Sequence, residues 1–168
     1  IIITDDDGAV IDLVKSDSVS ADVLNITGAI VPGFVNAHCH LELSHLKGLL
    51  DTGAGLIPFI KSVVTQRDFP EEVIQEAIYG ADKEMCKNGI VAVGDISNQI
   101  DTAECKSKSP INYYTFVEMF DFLQEDQAEK YFQQYLEVYE GQSDNNGNKK
   151  SCVPHAPYTV SKRLFRLI

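Results

Sequence analysis

Two histidines separated by a single residue are the first side chains in this sequence that could do chemistry. His38 and His40 close the stretch AIVPGFVNAHCH, which is mostly apolar and of strand length. Residues two apart in a strand point to one face, so both imidazoles are predicted to share a side while Cys39 faces the other. Two such imidazoles can bind one divalent ion, and Zn²⁺ or Fe²⁺ suits them. A hydrogen-bonded histidine pair at a strand end is the structural alternative.

The segments that must position these side chains alternate between helical and strand patterns. PEEVIQEAIYGADKEMCKNG and EDQAEKYFQQYLEVYEGQ have helical spacing, whereas GIVAVGDIS and INYYTFVEMF are apolar or β-branched runs. SCVPHAP is a further short strand that ends at His155. Nearly continuous apolar strands alternating with helices predict an α/β fold with a parallel sheet covered on its outer face. Residues 29–168 contain four such strand-helix units.

Four units correspond to the first half of a (β/α)8 TIM barrel, which has eight units and typically about 250 residues. Residues 1–28, with two short strands around Asp7-Gly8, are predicted to form part of a small β-sandwich subdomain. A doubly wound open sheet is the alternative, but no Gly-rich phosphate loop follows a predicted strand. The chain starts without Met and stops inside an apparent helix. We therefore expect it to be truncated at both ends.

The other predicted strands also end near an ionisable residue. Asp95 and Glu118 lie near the ends of the second and third strands, and His155 ends the fourth. In a parallel barrel the chemistry lies where strands end, so we expect these residues at the catalytic rim. Burying Glu118 unpaired in an apolar strand is costly, so it needs a partner. Glu42, two residues beyond His40, is a candidate for substrate contact, with capping of its loop as the alternative.

Composition limits the classes of partner. The net charge of -11 and the absence of a basic stripe argue against nucleic acid and anionic membrane surfaces. No segment approaches the roughly 20 apolar residues of a membrane span. The four cysteines are widely spread and form no C-x-x-C pair, which indicates free thiols of a reducing compartment and favours a cytoplasmic protein. Because a half barrel has open strand edges, a homo-oligomer is a possible state.

The quoted motifs resemble those of a known superfamily. VPGFVNAHCHLELS is similar to the amidohydrolase signature, a Pro-Gly-Phe-(Ile/Val)-(Asn/Asp)-x-His-x-His run at the end of the first barrel strand. HAPYTVS at His155 resembles the fourth-strand segment of its chlorohydrolase and purine-deaminase branch, which includes aminofutalosine deaminases. DDDGAVIDL resembles part of the small β-sandwich of these proteins. The resemblance covers nearly the whole chain, but only the first half of a family member.

The resemblance implies roles for particular residues. His38 and His40 match the two metal ligands of the first strand, so one divalent ion, Zn before Fe, is the expected cofactor. His155 matches a histidine that in this branch more often contacts the substrate than the metal. Glu118 and Glu42, chosen for their positions and not for a match to the family, are the other expected substrate-binding residues. A third His, a proton-shuttling Glu and an Asp are expected beyond residue 168, which leaves the catalytic residues unidentified. We therefore expect the 1–168 segment to be inactive without the missing second half of the barrel.

The expected function is that of a metal-dependent hydrolase for a small-molecule substrate. An activated water would deaminate a purine-like or nucleoside-type amine, which breaks a carbon–nitrogen bond other than a peptide bond. A chlorohydrolase or a cyclic amide hydrolase of the same superfamily is one alternative. A non-catalytic barrel fragment that acts as a binding or assembly module is another.

Overall fold

The computed structural model describes residues 1–18, 22–51 and 53–168, which fall into two compact units, Ile1–Pro32 and Gly33–Ile168. In the first unit, strands β1 (Ile2–Thr4) and β2 (Val10–Leu13) pair antiparallel, as the sequence predicted. Within the predicted subdomain 1–28, residues 19–21 lie outside the described residues, and residues 22–28 form no strand or helix. That the first unit belongs to a β-sandwich stays a prediction.

The second unit is built on four parallel strands. These are β3 (Phe34–Cys39), β4 (Ile90–Ser97), β5 (Asn112–Met119) and β6 (Lys149–Pro154). Each strand pairs with the next one along the chain, in the order β3-β4-β5-β6. A doubly wound sheet reverses its strand order at a switch point, whereas a barrel keeps the sequential order seen here. The predicted partial TIM barrel is confirmed.

Helices follow the strands along the chain, and some of them pack on one face of the sheet. They are α1 (Leu56–Gln66), α2 (Glu71–Lys87), α3 (Ala103–Lys108), α4 (Ala128–Gly141) and α5 (Lys162–Leu167), with short 3₁₀ helices at Leu41–Leu46 and Glu125–Gln127. Ser161 is the N-cap of α5, since its Oγ accepts a hydrogen bond from the N–H of Leu164 at 3.1 Å. None of the described helices is both long and apolar enough to cross a membrane.

The core lies between the sheet and the helices, in two clusters. The first joins Leu41, Ile78 and Val93 to residues of α3 and β5, and the second packs Met119 against α4 and α5. Alternate residues of β4 face this layer, since Val93, Asp95 and Ser97 are all buried on the helix side. Strand alternation therefore decides which polar residues of β4 are unavailable to the opposite, concave face.

Candidate metal and substrate site

The carboxyl ends of the four parallel strands meet at one rim of the sheet, because parallel strands end on the same side. At least one polar side chain lies there, at or just after the end of each strand. From β3 to β6 in order, the residues are His38 and His40, Asn98, Glu118, and His155. The sequence predicted four of these five and did not predict Asn98.

His38 and His40 lie side by side on β3. Their ring centres are 5.2 Å apart and the ring planes meet at 61°. Cys39, between them, packs against the core on the helix side, as strand alternation predicted. Burial lowers the pKa of His40, although the nearby Glu118 carboxylate opposes this change. Burial keeps the His40 imidazole neutral, and the neutral form is the one that can bind a metal ion.

The spacing of the two rings matches that of two imidazoles on one metal ion. Imidazoles bound to one tetrahedral Zn²⁺ at about 2.0–2.1 Å place their ring centres roughly 5 Å apart, close to the observed spacing. Among residues 1–18, 22–51 and 53–168, no group of three or more His, Cys, Asp or Glu side chains could hold a metal ion. If His38 and His40 bind zinc, as the sequence predicts, they would provide two of the about four ligands that zinc takes.

Glu118 and His155 form a close pair on neighbouring strands. Glu118 Oε1 lies 2.6 Å from His155 Nδ1, and the side chains are 13% and 37% exposed. The backbone N–H of His155 donates to the carbonyl of Met119 at 3.0 Å, which extends the pairing of β5 and β6 to this position. Because Nδ1 faces the carboxylate, it carries the proton in this pair. Nε2 is the nitrogen left for another ligand.

Asn98 joins the end of β4 to this pair. Its side-chain amide donates to the backbone carbonyl of Glu118 at 2.8 Å and lies 3.5 Å from Glu118 Oε2. No pattern in the sequence marks Asn98, because an Asn after a strand is an ordinary loop residue. In the structure, burial alternates along β4 from Val93 to Ser97, which places Asp95 in the core.

Glu42 has its buried carboxylate turned to the loop that follows β4. One oxygen, Oε2, accepts hydrogen bonds from Ser97 Oγ at 3.1 Å and from the N–H groups of Asn98 at 2.8 Å and Gln99 at 3.0 Å. Burial raises the pKa of Glu42, and these donors act in the opposite direction. The carboxylate therefore holds the loop in place. A contact between Glu42 and substrate stays a prediction.

Asp95 does not lie at the rim, and its predicted place there is wrong. It is fully buried on the helix side of β4, with Oδ2 2.6 Å from Lys106 Nζ of α3. Its other oxygen accepts the N–H of Leu41 at 2.8 Å. Lys106 also donates to Thr115 Oγ1 at 3.0 Å. Sequence reasoning missed Lys106, since nothing in IDTAECKSK shows that one of its lysines is buried.

A cavity of about 370 Å³ opens beside His155. Pro157, Val160 and Phe165 contribute apolar surface to it. Its polar lining residues are His155, Ser161, Lys162 and Arg166. Phe120 packs edge-on against the His155 ring with 5.5 Å between ring centres. Small-molecule sites are commonly concave and apolar with a few placed polar groups.

Fold and site together define a β/α-barrel protein with a candidate metal site at the carboxyl rim of its sheet. The family model for the amidohydrolase family matches residues 29–167. The chain belongs to the amidohydrolase family. This confirms the resemblance seen in VPGFVNAHCHLELS.

Similar proteins include several deaminases. A 5-methylthioadenosine/S-adenosylhomocysteine deaminase from Thermococcus kodakarensis is 31% identical over 86% of this chain and 35% of its own length. The crystal structure of Helicobacter pylori aminofutalosine deaminase with methylthio-coformycin is 27% identical, with a TM-score of 0.65 over 82% of this chain and 33% of that one. This chain spans about a third of the length of the curated relatives it matches.

A metal-bearing structure is also similar. The crystal structure of an adenosine deaminase from Xanthomonas campestris with bound zinc superposes with a TM-score of 0.58 at 22% identity, over 80% of this chain and 32% of that one. At this identity the likeness concerns the fold.

Proposed function

We propose that this chain is part of a metal-dependent hydrolase that deaminates a purine-like or nucleoside-type amine. The observation that carries the proposal is the spacing of the His38 and His40 rings, 5.2 Å apart at the strand rim where Glu118 and His155 also lie. The names of the similar proteins favour an adenosine-like substrate. We also propose a cytoplasmic location, which the four free cysteines favour.

In this proposal His38 and His40 hold a divalent ion, with zinc as the first choice. When bound, the ion supplies a water that is activated at neutral pH and can attack an electron-poor ring carbon. The imidazoles bind in their neutral form, and the burial that lowers the pKa of His40 helps to keep it neutral. Cys39 takes no part, since burial and the nearby Asp95 carboxylate raise its pKa to about 12.

On the substrate side, His155 presents Nε2 towards the bound molecule while Glu118 holds Nδ1. A neutral ring with its proton on Nδ1 offers Nε2 as an acceptor, and a protonated ring offers it as a donor. Glu118 fixes the direction of Nε2, because its carboxylate lies 2.6 Å from Nδ1 on the other side of the ring. A protonated Nε2 would suit a ring nitrogen of a purine, which is a hydrogen-bond acceptor.

Metal content per chain tests the proposal directly. Plasma mass spectrometry on the full-length protein is expected to find about one equivalent of zinc, and the His38→Ala variant is expected to lose it. His45→Ala is a matched control, because His45 Nε2 lies 3.1 Å from the carbonyl of Arg67, away from the histidine pair. Circular dichroism of each variant reports whether it is folded.

Ammonia release then tests the substrate class. The zinc-loaded protein is screened against adenosine, 5′-substituted adenosines, guanine and a chlorinated triazine. Release from an adenosine-type compound, lost in His38→Ala, is the expected result. Chloride release from the triazine without ammonia would replace deamination by dechlorination. A wild-type protein that binds no metal even when Zn²⁺ is added would refute the hydrolase.

A further inference from the structure

Strand β3 is irregular at its metal-binding end. Asn36 and Cys39 both face α2 and the core, because Asn36 Nδ2 lies 3.7 Å from Met85 Sδ and Cys39 packs in the cluster that Met85 also joins. In a regular strand, residues three apart face opposite sides. The register with β4 shifts between the same two residues, where Asn36 pairs with Val93 but Cys39 pairs with Asp95. The strand therefore contains a bulge at positions 37 and 38.

This bulge decides where His38 points. With regular alternation from Asn36, residue 38 would share the helix side with Asn36, and the imidazole would be buried among the core residues. The extra residue turns His38 to the other side, next to His40. Bulges are common beside active sites because they re-aim a side chain in this way.

Gly94 of β4 makes room for the bulge. A Cβ atom at this position would lie 2.8 Å from the carbonyl oxygen of Ala37, which is closer than real Cβ contacts. The neighbouring atom is backbone, so it cannot swing away as a flexible side chain could. Any side chain at position 94 must push the bulged segment of β3 away from β4.

A buried ion pair holds the strand on the other side of the bulge. Asp95 accepts the backbone N–H of Leu41, the residue after His40, at 2.8 Å. The same carboxylate is fixed by Lys106 Nζ at 2.6 Å, and Lys106 is fixed by Thr115 Oγ1 at 3.0 Å. Both charged side chains are almost completely buried. The two histidines thus lie between two anchors, Gly94 against Ala37 and Asp95 against Leu41.

We propose that Gly94 and the Asp95–Lys106 pair are positioning residues for the metal site, which hold the bulged end of β3 so that His38 and His40 face one ion. The inference rests on the proposed metal-dependent function and adds residues that touch neither metal nor substrate. A purely structural role for the pair is the competing explanation, since a buried ion pair can be replaced by apolar residues without loss of stability.

Two double variants of the full-length protein separate these explanations. Asp95→Asn with Lys106→Met removes both charges but keeps an acceptor for the N–H of Leu41. Asp95→Leu with Lys106→Met removes the charges and the acceptor and fills similar space with apolar atoms. Thermal unfolding of the metal-free proteins measures stability, and competition with a zinc-binding dye measures the zinc dissociation constant. Neither measurement depends on enzymatic activity.

The Asp95→Leu/Lys106→Met protein (Leu/Met) is expected to bind zinc about 10- to 100-fold more weakly than the Asp95→Asn/Lys106→Met protein (Asn/Met). This is the range seen when groups that orient metal ligands are lost. The Asn/Met protein is expected to stay within a few-fold of wild type. Zinc affinity close to that of wild type in both double variants would overturn the role of Asp95. Wild-type protein without zinc affinity would overturn the proposed function as well, which distinguishes the two failures.

Gly94→Ala provides a second test if the Leu/Met protein does not fold. Its matched control is Gly80→Ala on α2, where a Cβ would meet nothing within 4 Å. Weaker zinc binding by Gly94→Ala, together with unchanged binding by Gly80→Ala, supports the proposal. Equal binding by both glycine variants would overturn it.

Discussion

The Nδ1 atom of His155 lies 2.6 Å from Oε1 of Glu118, on the neighbouring strand. This contact joins the two residues for which the sequence predicted separate substrate contacts. In the structure, the Glu118 carboxylate holds the His155 ring. Glu118 is a carboxylate in the apolar strand β5 and therefore needs a polar partner. That partner is His155, which lies at the same rim.

Glu118→Ala is expected to lower kcat/KM for an adenosine-type substrate by about 10- to 100-fold, which corresponds to the roughly 1.5–3 kcal/mol of a hydrogen bond to a charged group. Zinc content should stay unchanged, because Glu118 is not among the expected ligands. Glu118→Asp should recover part of the loss. Nitrogen NMR of the His155 ring should show the proton on Nδ1 in wild type and a mixture of tautomers in the Ala variant.

The control for this prediction is Glu129→Gln, which changes an exposed carboxylate paired with Arg163 on the helix layer. Its kcat/KM should equal that of wild type. If Glu118→Ala were as active as wild type, or if His155 kept one tautomer without Glu118, the pair would have no role in orienting the ring.

Glu42 is expected to make stability depend on pH. Burial raises its pKa in the folded protein above the ordinary value of 4.5, so the folded state holds the proton more tightly than the unfolded state. Stability from this group is therefore full at low pH and is lost as the pH rises from about 4.5 through the raised pKa. Glu42→Gln removes this loss, so its free energy of unfolding relative to wild type should increase between pH 4 and pH 7.

Urea unfolding at several pH values measures this difference. Glu42→Ala serves as the comparison, because it removes the acceptor for Ser97, Asn98 and Gln99 and should cost about 1–3 kcal/mol even at low pH. A Gln variant whose stability follows that of wild type at every pH would show that Glu42 titrates alike in the folded and unfolded states.

Lys106→Met alone is expected to destabilise the protein by about 3–5 kcal/mol, because it leaves the Asp95 carboxylate buried without its cation. The Asp95→Leu/Lys106→Met double variant should recover most of this loss. Lys108→Met is the matched control. Lys108 lies two residues away in an exposed pair with Glu104, so this change should leave stability nearly unchanged. Equal unfolding midpoints for the two single variants would contradict a charged, buried Lys106.

The cysteines are expected to differ in reactivity. Burial raises the pKa of Cys39 and of Cys105 to about 12, whereas Cys86 is exposed on α2. Because the thiolate is the reactive form, iodoacetamide at pH 8 should label Cys86 more than about tenfold faster than the other two. Peptide mass spectrometry follows each site, and labelling in urea, where all sites should react alike, is the control. Fast labelling of Cys39 in the native protein would place that side chain outside the core.

The sequence was sufficient for the parts of this protein that depend on local pattern. Apolar runs and helical spacing predicted the parallel strands and helices, and the motif around His38 and His40 predicted the family. Glu118 and His155 were also predicted at the rim, because both lie at strand ends where chain order alone suggests a common edge. These features need no knowledge of which residues touch across the fold.

Only the tertiary structure decided which polar side chains belong to the rim. Asp95 and Asn98 are three residues apart, and the register of β4 against its neighbours places one in the core and the other at the rim. The partner of Asp95 is a lysine on a different element, and the bulge that turns His38 is visible only in the pairing of β3 with β4. The pattern of apolar residues that predicts a strand or helix can be read from the segment's own sequence. The partner and the exact direction of a side chain depend on packing between segments that are distant in the chain.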